Sequence, residues 1–173
     1  MAETRAKVLG GLLDIVEGFK AVDLSTGANT GDYVSMKNWN RCLILFHSAV
    51  GTAGDDPTLT VQQASSATGT GVKNLTFDTI YRKQAATDLS ATGVWTKTTQ
   101  TAANTYTEAT AAEQDLLWVI EIKATDLDVD GGFDFIRATV ADVGTNAQLG
   151  FLLYIFCEPA HANAPENVLS TLL

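Results

Sequence analysis

The residues best spaced for chemistry in this chain are Asp126, Asp128 and Asp130, followed by Gly131 and Gly132. Carboxylates at alternate positions ahead of a glycine match the opening of an EF-hand calcium loop. There the acids converge on the ion and glycine permits the sharp turn. Position 12 of such a loop would be Arg137, a cation where the closing acid belongs. Phe133 to Val140 also reads as a strand, where an EF-hand needs its exiting helix. The segment is therefore expected to form a helical turn and a Gly-Gly connection, with no tight metal.

Other reactive types are isolated. His47 lies in an apolar run, where a lone histidine is usually a hydrogen-bonded structural residue, and His161 sits in a polar tail near Pro159 and Pro165. Neither has a partner at metal-ligand spacing. A Ser-His-Asp set could still meet in space, but there is no G-x-S-x-G elbow. Asp55-Asp56, ahead of Pro57, reads as a solvated turn. Gly69-Thr70-Gly71 lacks the third glycine and the helix of a phosphate-binding loop. Cys42 and Cys157 either pair across neighbouring strands or stay as two reduced thiols. No catalytic, cofactor-binding or metal-binding residue is assigned, and no enzymatic activity is expected.

The elements that would hold these residues are mostly short strands. Candidates run at 33–36, 41–49, 58–64, 74–82, 94–99, 104–109, 116–123, 133–141 and 149–157. Alternation is clearest in Thr58-Leu59-Thr60-Val61-Gln62 and in Leu75-Thr76-Phe77-Asp78-Thr79-Ile80-Tyr81, each with one wet face. Residues 42–46 and 151–156 are apolar on both faces, as in a strand held between a core and another layer. The strand spacing predicts an all-β fold, an antiparallel β-sandwich of jelly-roll type with eight or nine strands; an immunoglobulin-like sandwich is the nearest rival, with no Cys-Trp-Cys spacing in its favour. Strands 41–49, 116–123 and 149–157 should be central, with Leu43, Leu45, Trp118, Ile120, Leu152 and Tyr154 in one core.

Residues 4–20 carry the single helical pattern. Val8, Leu9, Leu12, Leu13, Val16 and Phe19 recur at three- and four-residue spacings and form one apolar stripe. Gly10, Gly11 and Gly18 each weaken a helix by about 1 kcal/mol relative to Ala. The stripe either covers an end of its own sandwich or docks on a partner, and those six residues are the candidate docking set. The expected layout is an N-terminal helical arm and linker at 1–30, a β-sandwich at 31–160 and a C-terminal tail at 161–173. On that layout, deleting residues 1–22 would leave the sandwich folded.

With 173 residues and 46% hydrophobic content, the chain can build a full core without staples. A formal charge of −9 opposes binding to nucleic acids and anionic membranes, and no basic patch offsets it. No apolar run reaches the roughly 18 residues of a membrane span, and the N-terminus is a poor signal peptide. The chain is expected to be made in a cytoplasm and to stay soluble.

Three stretches carry a family resemblance. They are Tyr33-Val34-Ser35-Met36-Lys37-Asn38-Trp39 leading into Cys42-Leu43-Ile44-Leu45-Phe46, then Leu59-Thr60-Val61-Gln62-Gln63-Ala64, then Trp118-Val119-Ile120-Glu121-Ile122 through Asp126 to Phe133. Together they resemble the capsid decoration, or cement, proteins of tailed bacteriophages over roughly residues 33 to 157. The resemblance implies a β-sandwich that oligomerises on the outside of a DNA-filled shell and contacts the major capsid protein. It implies no catalytic residue to transfer; a protein of this kind needs no cofactor and faces away from the DNA. Two other roles remain open: another virion part, such as a tail or head-to-tail connector subunit, and a carbohydrate-binding module. The latter needs an exposed aromatic row, which Trp95 and Tyr106 could begin.

Overall fold

The computed structural model describes residues 8–161 and 171–172. Its strands in chain order are β1 (Leu13–Asp23), β2 (Asn29–Thr30), β3 (Val34–Ser35), β4 (Trp39–Ser48), β5 (Thr58–Ala64) and β6 (Lys73–Asn74). There follow β7 (Phe77–Ala85), β8 (Thr96–Ala103), β9 (Thr105–Thr107), β10 (Asp115–Lys123), β11 (Phe135–Val140) and β12 (Leu149–Pro159). They form two antiparallel sheets. The first has the order β1-β12-β4-β10-β7-β8 and the second β2-β11-β5-β6, with β3 added to β11 and β9 to β5.

The pairings are nested: β1 with β12, β2 with β11, β4 with β10, and β5 with β6. A chain folded back on itself in this way and then rolled into two sheets is a jelly roll. The β7–β8 hairpin extends the first sheet beyond that plan. The expected strands are all present, and 41–49, 116–123 and 149–157 do lie inside the first sheet.

Alternation decides which side chains meet between the sheets. In β4, Cys42, Ile44 and Phe46 point inward; in β10, Leu116, Trp118, Ile120 and Ile122; in β12, Leu152, Tyr154 and Phe156. The second sheet supplies Leu59, Val61, Ile136, Ala138 and Val140. Tyr106 of β9 meets Trp118 edge-on at 4.7 Å, and Phe46 lies 5.7 Å from the same indole. Leu43 and Leu45, expected in the core, face outward instead. A strand exposes every second residue to the opposite side, and the indole-lined interior selects the even-numbered set in β4.

The helical stripe is corrected more thoroughly. Only Val8–Gly11 is a helical turn, and Leu9 and Gly10 inside it have non-helical dihedrals. Leu13–Asp23 is the edge strand of the first sheet, not part of an arm. Two register shifts explain the misleading periodicity. Val16, Phe19 and Val22, three residues apart, lie opposite Tyr154, Leu152 and Gly150, two residues apart. Each bulge inserts an extra residue, so a helix-like spacing lands on one face of a strand. Val16, Phe19 and Val22 pack against the core from this edge. Gly18 occupies the first bulge, where a Cβ would stand 2.2 Å from Leu152 Cδ2. The residue that weakens the helix is thus the one the bulge requires.

Alternation also fails once in β7. Phe77 and Ile80, three residues apart, are both buried, while Tyr81 turns outward, and the pairing with β8 carries a register shift between Phe77 and Thr79. Few side chains bind the two sheets by hydrogen bonds. The Ala138 N–H donates to Tyr154 Oη at 2.8 Å, and that hydroxyl donates to the Asp32 carbonyl at 3.2 Å. Burial raises the Tyr154 pKa, so the phenol stays neutral and keeps its proton to donate.

Two outcomes follow from this packing. Deleting residues 1–22 should strip β12 of a partner and uncover Leu152 and Tyr154. Calorimetry should show a loss of at least about 3 kcal/mol, or roughly 6–12 °C in Tm, and an unchanged Tm would show that β1 is dispensable. Tyr154→Phe leaves the buried Ala138 N–H without an acceptor and should cost about 1–3 kcal/mol. Urea unfolding should register this as a lower midpoint at constant slope.

Candidate interaction surface

The side chains of β4, β10 and β12 that do not face the core form the outer face of the first sheet. Strand register lays them out in rows. One row runs Ile15, Ile155, Leu43, Glu121; the next runs Glu17, Leu153, Leu45, Val119, Tyr81. A third runs Phe151, His47, Leu117, Lys83. Leu43, Leu45, Leu117, Val119, Leu153 and Ile155 are half-buried, and Ile15 at the edge is 51% exposed. This is why 42–46 and 151–156 read as apolar on both sides.

The second sheet presents the opposite character. Thr58, Thr60 and Gln62 of β5 and Arg137 and Thr139 of β11 point outward from it. One face of the sandwich is therefore wet and the other apolar. A contiguous apolar patch larger than a few hundred Å² is uncommon on a free monomer and marks an interaction surface.

Ion pairs ring the apolar rows. Arg41 pairs with Glu121 and, at 2.9 Å, with Glu158. Glu158 is the one non-glycine residue with positive φ among those described, at 57°, a conformation that costs energy and here aims its carboxylate at Arg41. His47 stacks on Phe151 with ring centroids 5.0 Å apart, and its Nε2 lies 3.1 Å from Asp115 Oδ1. The basic side chains in register on this face are Arg41, Lys83, Lys97 and Lys123. The acidic ones are Glu17, Asp115 and Glu121, joined by Glu158. The two signs balance, so the formal −9 of the chain is carried by other surfaces.

The six residues of the expected docking stripe are dispersed. Val8, Leu9 and Leu12 remain 59%, 46% and 55% exposed around the helical turn. Leu13 pairs with Cys157, while Val16 and Phe19 serve the core. Sequence reasoning missed the outer face because it assigned Leu43 and Leu45 to the interior. The available signal was the two-sided apolarity of β4 and β12, which demands a second layer.

The acids that suggested metal chemistry fasten loops. Asp126 accepts from the Lys123 N–H at 2.8 Å; Asp128 accepts from the Gly131 N–H at 3.0 Å and pairs with Lys73. The Asp128 N–H in turn donates to Gln63 Oε1 at 2.8 Å, tying the loop to β5. Asp56 accepts from the Ala112 N–H at 2.9 Å, and Asp55 from the Asn146 side chain at 3.1 Å. Among the described residues no three His, Cys, Asp or Glu side chains converge as a metal site. Cys42 faces the core and Cys157 the outer side of the same sheet, so both are free thiols. Tyr106 is buried against Trp118, which breaks the aromatic row expected with Trp95. Trp95 itself is 45% exposed, with Lys83 Nζ 5.0 Å from its ring.

Two open clefts flank the first sheet. One of about 370 Å³ lies between β7 and the end of β10, lined by Asp78, Tyr81, Lys97, Glu121 and Asp126 among others. The other, about 260 Å³, lies beside Arg82, Gln84 and Glu108, where Arg82 and Glu108 pair. No helix among the described residues is long and apolar enough to cross a membrane. No protein-family model matches the sequence, and no curated protein matches it.

Lys73 lowers the pKa of the Asp128 carboxyl, with the Gly131 N–H adding to the effect. A lowered carboxyl pKa stabilises the fold above the ordinary value of about 3.9, and that contribution is lost as pH falls through the lowered one. Lys73→Met should therefore raise the Asp128 pKa, followed by carboxyl carbon NMR. An unmoved titration would show that the pair is not formed in solution.

Proposed function

We propose that this chain is a structural protein of a tailed-phage virion that sits on the outside of the capsid and stabilises the shell. The observation that carries this reading is the apolar outer face of β12, β4 and β10 on a rigid jelly roll. A protein whose work is to bury area on a repeating lattice needs such a face, and many copies of a modest contact give large avidity. Jelly rolls also serve in viral capsids and lectins, which supports the reading by analogy only. The acidic charge suits a position away from packaged DNA. The reading involves the major capsid protein as partner, assigns no catalytic role, and calls on no cofactor, nucleic acid or membrane. Synthesis would be in the host cytoplasm and final residence on the virion surface.

The carbohydrate-binding alternative draws on Trp95, exposed beside Lys83, but it lacks a second aromatic at Tyr106. Purified protein mixed with shells that lack it should cosediment with them and raise their resistance to heat. Virions without the protein that keep normal heads but lose tails or host adsorption would support the tail-component reading instead. Retention on a polysaccharide column, lost in Trp95→Ala, would support the carbohydrate one.

A further inference from the structure

We infer that the outer face of the first sheet is the contact surface for a second copy of this chain, packed face to face about a two-fold axis. The inference stands on the fold and does not require the virion reading, because it concerns the free protein.

Three observations lead to it. First, the size is right. Five strands about 4.8 Å apart and about eight residues long make a face of roughly 650 Å², near the ~800 Å² per partner of a standard interface. Second, the centre is self-complementary. Leu45 lies between Leu153 and Val119, with Leu43 and Ile155 in the adjoining row. Aliphatic rows at strand spacing interdigitate with copies of themselves when two sheets stack about 10 Å apart. An isologous contact brings each such row against its own copy or a neighbouring row.

Third, the charge permits it. Two chains of formal charge −9 repel overall, so a self-contact needs a face where that charge is absent. Here Arg41 is paired with Glu121 and Glu158, and the four basic side chains on the face are matched in number by the four acidic ones, so the face carries no formal net charge into the contact. A basic partner would be favoured by an acidic face and an acidic partner by a basic one. A balanced apolar face favours a surface like itself.

The test is the association state of the intact chain and of Leu45→Lys, measured by analytical ultracentrifugation from about 1 to 100 μM, spanning typical affinities for contacts of this size. Wild type should be dimeric at the upper end. Leu45→Lys should be monomeric, with wild-type circular dichroism, because Leu45 lies outside the core. A wild type that stays monomeric throughout overturns the inference. So does a folded Leu45→Lys that dimerises as well as wild type, since the contact then lies elsewhere. Should Leu45→Lys fail to fold, hydroxyl-radical footprinting of the wild type decides. Phe151, Leu153 and Ile155 should lose reactivity as the dimer forms, and unchanged reactivity there overturns the assignment. Shell binding by a protein that never dimerises would support the virion proposal while removing this one, so the two fail separately.

Discussion

Everything in this sandwich hangs on β4, which from Arg41 to Ser48 is paired with β12 on one side and β10 on the other. A strand paired on both edges has no freedom to slip, because a shift of one residue would exchange its two faces. Ile44 and Phe46 are thereby held inward, Phe46 against Trp118, and Leu43 and Leu45 are held outward. The same constraint that builds the core therefore builds the apolar surface. The protein could not bury one set without presenting the other.

The sheet margins are handled differently on each side. β1 closes the β12 edge, and two bulges bend it so that Val16, Phe19 and Val22 reach the core from a single strand. The Asp23 carboxylate secures its far end, accepting from the Gln148 and Ser25 N–H groups, each at 3.0 Å. Those two bonds, that from Gln148 foremost, lower the Asp23 pKa. On the opposite side, the β7–β8 hairpin widens the sheet beyond the eight strands of a plain jelly roll. Both devices enlarge the face that carries the apolar rows, whereas the second sheet remains small, threonine-rich and wet.

The polar groups that looked reactive in isolation are mostly engaged in holding loops and faces together. Asp56 and Asp128 accept backbone N–H groups, and His47 is fixed between Phe151 and Asp115. The Asp128 carboxylate, paired with Lys73 and accepting from the Gly131 N–H, is stabilised as the anion. These contacts hold the loops and the sheet face in place.

How much was legible beforehand differs from residue to residue. Thr58 to Gln62 announced a strand with Leu59 and Val61 inside, because alternation there meets no bulge. The fold class followed from many such short segments separated by turn formers. Val16 and Phe19 were misread because bulges at Gly18 and before Val22 convert a two-residue period into three, and the partner strand that reveals this is more than a hundred residues away. Leu43 and Leu45 were misread for a related reason: a run apolar on every position does not say which half faces in. Local sequence determined the strands, the turns and the lack of any compact chemical motif. Only the tertiary structure decided which side of each central strand is core, since that choice belongs to β10 and β12 as much as to β4, and with it which residues form the exposed face.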